Sequence, residues 1–121
     1  MELEPKNLLF ILSDEHQRDI AGCYGDGLVK TPNIDALAAR GVRFTNAYTP
    51  CPICVPARAS LATGRWVHQV RAWDNAAPYH GEFASWHHRL RAAGHAVASI
   101  GKLHFRSTDD DNGFTEASSG K

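Results

Sequence analysis

Apolar positions in this chain come in short clusters separated by polar, glycine-punctuated stretches. The opening run, "NLLFILSD" from Asn7 to Asp14, is continuously apolar before it turns polar. That pattern predicts a strand buried on both faces, as in a parallel sheet. In "TPNIDALAARG", residues 31–41, Ile34, Leu37 and Ala38 recur at helical spacing. Thr31 is the expected N-cap, Pro32 the first helical residue and Gly41 the stop. "VRFTNAY", 42–48, alternates as a short strand. "PARASLATG" predicts a helix beginning at Pro56 and ending at Gly64. "FASWHHRLRAAG" predicts another, with Phe83, Trp86, Leu90 and Ala93 on one face and Gly94 as its stop. "HAVASIG", 95–101, is the next predicted strand, and the polar tail "RSTDDDNGFTEASSGK" loses periodicity, which predicts loop or frayed end. Helices alternating with strands indicate an α/β fold, a mostly parallel sheet flanked by helices.

The chain has 121 residues, enough for one domain with a modest core. Its formal net charge is zero, which removes the usual electrostatic reason to expect nucleic acid or an anionic membrane as partner. The longest apolar run, Leu8 to Leu12, is too short to span a bilayer, and no basic, apolar leader precedes it. A soluble, cytoplasmic protein is expected. Cys23, Cys51 and Cys54 are too few and too oddly spaced for a disulfide framework.

In open α/β sheets the chemistry lies beyond the carboxyl ends of the strands. Three polar groups fall there: Asp14 and Glu15 after the first predicted strand, the loop "CPIC" at 51–54 after the second, and "GKLH" at 101–104 after the last. "CPIC" fits a Cys-x-x-Cys redox pair, but Pro56 follows the second cysteine, so the helix is expected to start there, with Cys54 beside its N-terminus. Zinc would need two more soft ligands at close spacing, and no second such pair exists. A single activated group suits a helix N-terminus, where unpaired N–H groups and the macrodipole favour negative charge. Arg58 lies one turn on and can reach the same anion.

"CVPAR" followed by "ASLATGR" resembles the signature of the type I sulfatases of the alkaline phosphatase superfamily. Ala57 stands where many members carry serine. The resemblance implies that a formylglycine-generating enzyme oxidises Cys54 to formylglycine, leaving Cys51 a bystander. One hydroxyl of the hydrated aldehyde would attack sulfur, and the other would expel sulfate by re-forming the aldehyde. "SDE" at 13–15 resembles the family's first metal segment, with Glu15 in place of a common aspartate. It implies Asp14, Glu15 and the modified Cys54 as ligands of a hard divalent cation, calcium first, magnesium or manganese next. "IGKLHF" resembles the family's Gly-Lys-Trp-His motif, with leucine for tryptophan. It implies that Lys102 contacts the sulfate and that His104, two residues along an extended chain, points to the same side. "WDNAA" at 73–77 resembles choline sulfatases and implies that Asn75 binds the sulfate, with Asp74 structural or near a cationic substrate end.

His87 and His88 are neighbours whose side chains diverge by about 100° on a helix, so structural or solvated roles are expected. His16, beside the acidic pair, is the other histidine of interest. Trp86 reads as core. The resemblance runs from Asn7 to about Phe114 and covers only the first part of a longer family domain. The chain, 1–121, is thus expected to be the N-terminal segment of a sulfatase catalytic domain, acting on small sulfate esters but nearly inactive alone and prone to self-association. A phosphonate or phosphate diester hydrolase with the same nucleophile, and more remotely a thiol redox domain using Cys51 and Cys54, are the rival readings.

Overall fold

In the computed structural model, which describes residues 7–118, helix α1 spans Pro32–Arg40, where the capping pattern predicts it. Proline occupies its first position, and Gly41 follows its last residue. Thr31, however, does not use its side chain as a cap. Its hydroxyl accepts the Gly22 N–H (2.8 Å) and donates to Asp35 Oδ1 (3.0 Å), which also accepts the Cys23 N–H (2.7 Å). Thr31 and Asp35 thereby hold the short 3-10 turn Gly22–Tyr24 against α1. A Cβ at Gly22 would fall 2.5 Å from Asp35 Oδ2, so a larger residue there would displace the carboxylate that accepts the Cys23 N–H. Further bonds run from Arg18 to the Thr45 carbonyl, from Tyr24 to the Phe44 carbonyl and from Arg43 to the Cys23 carbonyl.

These residues belong to the first of two units, Met1–Asn46 and Ala47–Lys121. In this first unit the strand expected over 7–14 is absent: the segment has no ladder, and Leu9 and Ile11 are about four-fifths exposed. The strand expected over 42–48, which runs across the boundary at Asn46, is absent too. The physical reason is pairing. A strand exists by exchanging backbone hydrogen bonds with a neighbour, and none of the described residues of this unit forms one. Two residues of the apolar stripe of α1, Ile34 and Leu37, are likewise exposed.

The second unit has a core. Helix α2 spans Cys54–Thr63, two residues earlier than the proline suggested, with Pro56 inside its first turn. Proline is tolerated there because the N–H it lacks would have no helical partner anyway. Gly64 ends the helix in the left-handed conformation (φ 67°), its N–H returning to the Ser60 carbonyl at 2.8 Å. Val55 and Ala59 of α2 pack with Val70 at the end of helix α3 (Val67–Val70), with Ala72 and with Tyr79; Phe83 and Phe105 flank the cluster. Helix α4 spans Trp86–Ala92. Ser85 and His88 form a reciprocal capping box at its start, so Phe83 lies in the preceding loop rather than on the helix.

Strand β1 (Ala98–Ile100) forms inside the predicted "HAVASIG" segment, pairing in parallel with β2 (Glu116–Ser118). Among the described residues this pair is the whole sheet, so the expected α/β architecture is present only as two parallel strands beside helices. The second strand lies in the tail expected to be loop. That tail is pinned by α4: His88 Nε2 meets the Asp111 carbonyl (3.0 Å), Arg91 Nη2 donates to Asp111 Oδ2 (2.8 Å), and Phe114 stacks on His87 at 4.2 Å. Gly113 passes so close that a Cβ would lie 2.4 Å from the His88 nitrogen. These anchors are single side chains from a distant segment, so no periodicity announces them.

His87 and His88 face different partners, as expected of neighbours on a helix. His87 is buried, with Nδ1 3.3 Å from the Asn112 carbonyl, and burial lowers its pKa to about 4. Trp86 is half-buried and meets the His87 ring edge-on at 4.0 Å. No helix of the described residues is long and apolar enough to cross a membrane.

Candidate active site

The site is built on the first turn of α2. Ile53 enters in an extended conformation, Cys54 is the first helical residue, and the Ala57 N–H makes the first main-chain bond, to the Ile53 carbonyl at 3.0 Å. Since Pro56 has no N–H, the amides of Cys54 and Val55 are the donors this turn leaves over. The Val55 N–H is taken by Asn75 Oδ1 at 3.0 Å. Asn75 sits in a turn organised by Asp74, whose Oδ1 accepts the Ala76 N–H at 2.8 Å.

Arg58 lies four residues after Cys54, on the same helical face. Its Nη1 donates to the Lys102 carbonyl at 2.7 Å, which brings the loop "GKLH" onto α2. That loop is held from its far end. Phe105 packs edge-on against Tyr79 at 5.0 Å, and the Arg106 N–H bonds the Tyr79 carbonyl at 2.9 Å. Tyr79 was not readable as a site-supporting residue, because nothing in its spacing distinguishes it from ordinary core.

The loop itself is not extended. Gly101 has φ 98° and His104 φ 58°, so the alternation expected to point Lys102 and His104 the same way does not apply. A histidine in the left-handed region is strained. Its Nδ1 is also buried without a hydrogen-bond partner among the described residues. Both are costs of the order of 1 kcal/mol or more that a loop with a purely connecting role has no reason to keep.

Cys54, Arg58, Asn75 and Lys102 are thus connected within the second unit, with His104 two residues beyond Lys102. Cys51 and Cys54 are free, half-buried thiols. Asp14 and Glu15 form a turn in the first unit, and Glu15, like His104, has a positive φ (57°). His16 is exposed beside them. No group of three or more His, Cys, Asp or Glu gathers among the described residues. Asp14 and Glu15 supply carboxylate oxygens, the donor type that calcium and magnesium take.

Residues 6–120 match the family model described as Sulfatase. This chain belongs to the sulfatase family. Among curated relatives of this sulfatase chain, the choline-sulfatase of Rhizobium meliloti is 40% identical over 113 residues, 91% of this chain and 22% of the relative. The N-acetylglucosamine-6-O-sulfatase of Bacteroides thetaiotaomicron is 36% identical over 106 residues, 88% of this chain and 19% of the relative. Among solved structures, BT4656 in complex with its substrate D-glucosamine-2-N,6-O-disulfate superposes with a TM-score of 0.80 at 36% identity, over 86% of this chain and 21% of that one. The phosphonate monoester hydrolase of Agrobacterium radiobacter superposes with a TM-score of 0.68 at 28% identity, over 81% of this chain and 22% of that one. The sulfatase chain therefore has the fold of one segment of an alkaline phosphatase-like domain and spans about a fifth of the length of these relatives.

Proposed function

We propose that this chain carries the nucleophile-bearing segment of an enzyme that hydrolyses sulfate esters of small molecules. The observation that carries the reading is the bond from Arg58 to the Lys102 carbonyl. It joins two motifs 44 residues apart, next to the first turn of a helix whose leading residue is Cys54. The relatives are sulfatases, which supports sulfate as the group recognised.

Each residue then has a task. The first turn of α2 offers backbone N–H dipole to an anion, and Arg58 offers a guanidinium in the same place, fixed by its bond to Lys102. Lys102 adds a second cation, and its backbone already serves to hold Arg58. The His104 ring, on a strained backbone, is the proton-handling group closest in sequence to Lys102. Cys54, half-buried at the helix start, is the nucleophile's position; oxidised to formylglycine by its modifying enzyme and hydrated by one water, it would attack sulfur through one hydroxyl of the gem-diol and displace the alcohol, and loss of the proton from the second hydroxyl would re-form the aldehyde and break the C–O bond to sulfate. Asp14 and Glu15 are carboxylates of the kind that would help hold a divalent cation, calcium first.

The test is turnover. The longest reading frame containing these residues, co-expressed with a formylglycine-generating enzyme, should hydrolyse an aryl sulfate, and Arg58→Ala should reduce kcat/KM by at least a hundredfold, about 3 kcal/mol. The likeness to a phosphonate monoester hydrolase favours one second reading, a phosphonate or phosphate diester substrate. Faster turnover of an aryl phosphonate than of the matching sulfate would establish it. The 121 residues alone should show little activity with either.

A further inference from the structure

The tail of the second unit carries the run "TDDDNG", residues 108–113. Oxygen-bearing side chains at alternate positions, closed by a glycine that makes a sharp turn, are the pattern of calcium loops written D-x-(D/N)-x-(D/N)-G. Here Thr108 stands at the first of those positions, Asp110 at the second and Asn112 at the third, and Gly113 turns the chain with φ 87°. These three residues, with Asp111, line one cavity of about 210 Å³. Spacing alone would not make this a site. Asn112 adds an independent sign. It is only 7% exposed, its Nδ2 donates to the Ser107 carbonyl at 2.8 Å, and its backbone carbonyl meets His87 Nδ1 at 3.3 Å. The carboxamide is therefore held, and its oxygen is the end left for the cavity. That Oδ1 is buried and has no hydrogen-bond partner among the described residues. A buried oxygen left so is costly, and a cation beside it would relieve the cost.

We propose that residues 108–112 form a calcium site, with Asp110, Asn112 Oδ1 and the Thr108 hydroxyl as ligands and Asp111 adding charge from the same wall. Every donor is oxygen, which disfavours zinc, and neutral oxygens on an adaptable loop suit calcium better than the strict octahedron of magnesium. Both carboxylates already meet guanidinium groups. Arg106 forks over Asp110, with Nε donating to Oδ2 at 2.9 Å and Nη2 to Oδ1, and Arg91 Nη2 donates to Asp111 Oδ2 at 2.8 Å. Neither contact exhausts a carboxylate, which has about four acceptor positions. The two positive charges do weaken the pull on a third, so the affinity belongs at the weak end of calcium loops, about 0.1–1 mM. The site is independent of the sulfate ester reading, and of Asp14 and Glu15 in the first unit.

Calcium chloride titrated into the 121-residue chain, followed by amide chemical shifts, tests the site. The amides of residues 108–115 and the Asn112 carboxamide should move saturably, half-way by about 1 mM. Asp110→Asn should raise that midpoint about tenfold or more. Asp109→Asn is the control, because it removes the same charge from a residue that does not line the cavity, and it should move the midpoint less than about threefold. Should Asp110→Asn fail to fold without its Arg106 pair, Thr108→Val removes a ligand at nearly constant shape and should raise the midpoint about threefold. No saturable movement over 108–115 at ten times that concentration overturns the site. So does movement confined to residues 14–16, or equal weakening by Asp109→Asn and Asp110→Asn, or an unmoved midpoint in Thr108→Val where that variant is the one that folds.

Discussion

The two units of this chain, read separately, show what a short sequence can and cannot organise for itself. The second unit buries Val55, Ala59, Val70, Ala72 and Tyr79 and holds its loops by side chains that reach across it. The first unit buries one hydrophobic residue, Ala21, among those described, and leaves Leu8, Leu9 and Ile11 more than 70% exposed. What order the first unit has comes from polar contacts, with Asp35 at the centre. Apolar sequence alone does not make a core. A neighbour must be present to receive it, and in the first unit the described residues offer none.

The largest expected effect sharpens that contrast from the well-packed side. Tyr79→Ala removes a buried ring, its contact with Phe105 and its hydroxyl bond to the Phe83 carbonyl. A loss of about 3–4 kcal/mol is expected in urea unfolding followed by a probe in the second unit. The matching change in the first unit is the smallest. Leu9→Ser with Ile11→Ser should cost less than about 0.5 kcal/mol, because neither side chain is buried, while lowering self-association measured by sedimentation. A large destabilisation from the serine pair would break the comparison.

Between these extremes lies a pH effect confined to the second unit. His87 has a folded-state pKa of about 4, below its ordinary 6.5, because burial penalises the imidazolium. In that window the unfolded chain binds the proton and the folded one does not. Stability is therefore full above about pH 6.5 and falls as the pH drops toward 4, by on the order of 3 kcal/mol for the whole shift. The Asp111 carboxyl, held down to about 2 by the Arg91 guanidinium, extends the loss in the same direction at still lower pH. His87→Phe should flatten the curve between pH 6.5 and 4, read from thermal unfolding at a series of pH values. Smaller again is Gly64→Ala. Nothing lies near the added Cβ, so the cost is the left-handed backbone alone, about 1 kcal/mol.

Elements that satisfy themselves locally were readable in the sequence. The start of α1 at Pro32, the stops at Gly41 and Gly64 and the separate fates of His87 and His88 depend on residues within a turn or two. Elements that depend on distant partners were not. The run 7–14 looks like a strand because its pattern belongs to a sheet that the described residues do not contain. Residues 116–118 do form a strand, although their sequence looks like a frayed end, because Thr115 and Val97 bring them alongside β1. The site divides the same way. The motif around Cys54 and Arg58 is legible as a family signature. That Asn75 holds the helix, that the Lys102 backbone holds Arg58, and that His104 is not extended are matters of tertiary placement, which spacing does not encode.

The central claim is that Cys54 is the residue from which the nucleophile is made. Peptide mapping by mass spectrometry, after co-expression with a formylglycine-generating enzyme, addresses it directly. The side chain at position 54 should have exchanged sulfur for oxygen while Cys51 keeps its thiol. A Cys51–Cys54 disulfide, or an unaltered thiol at position 54 under those conditions, would contradict it.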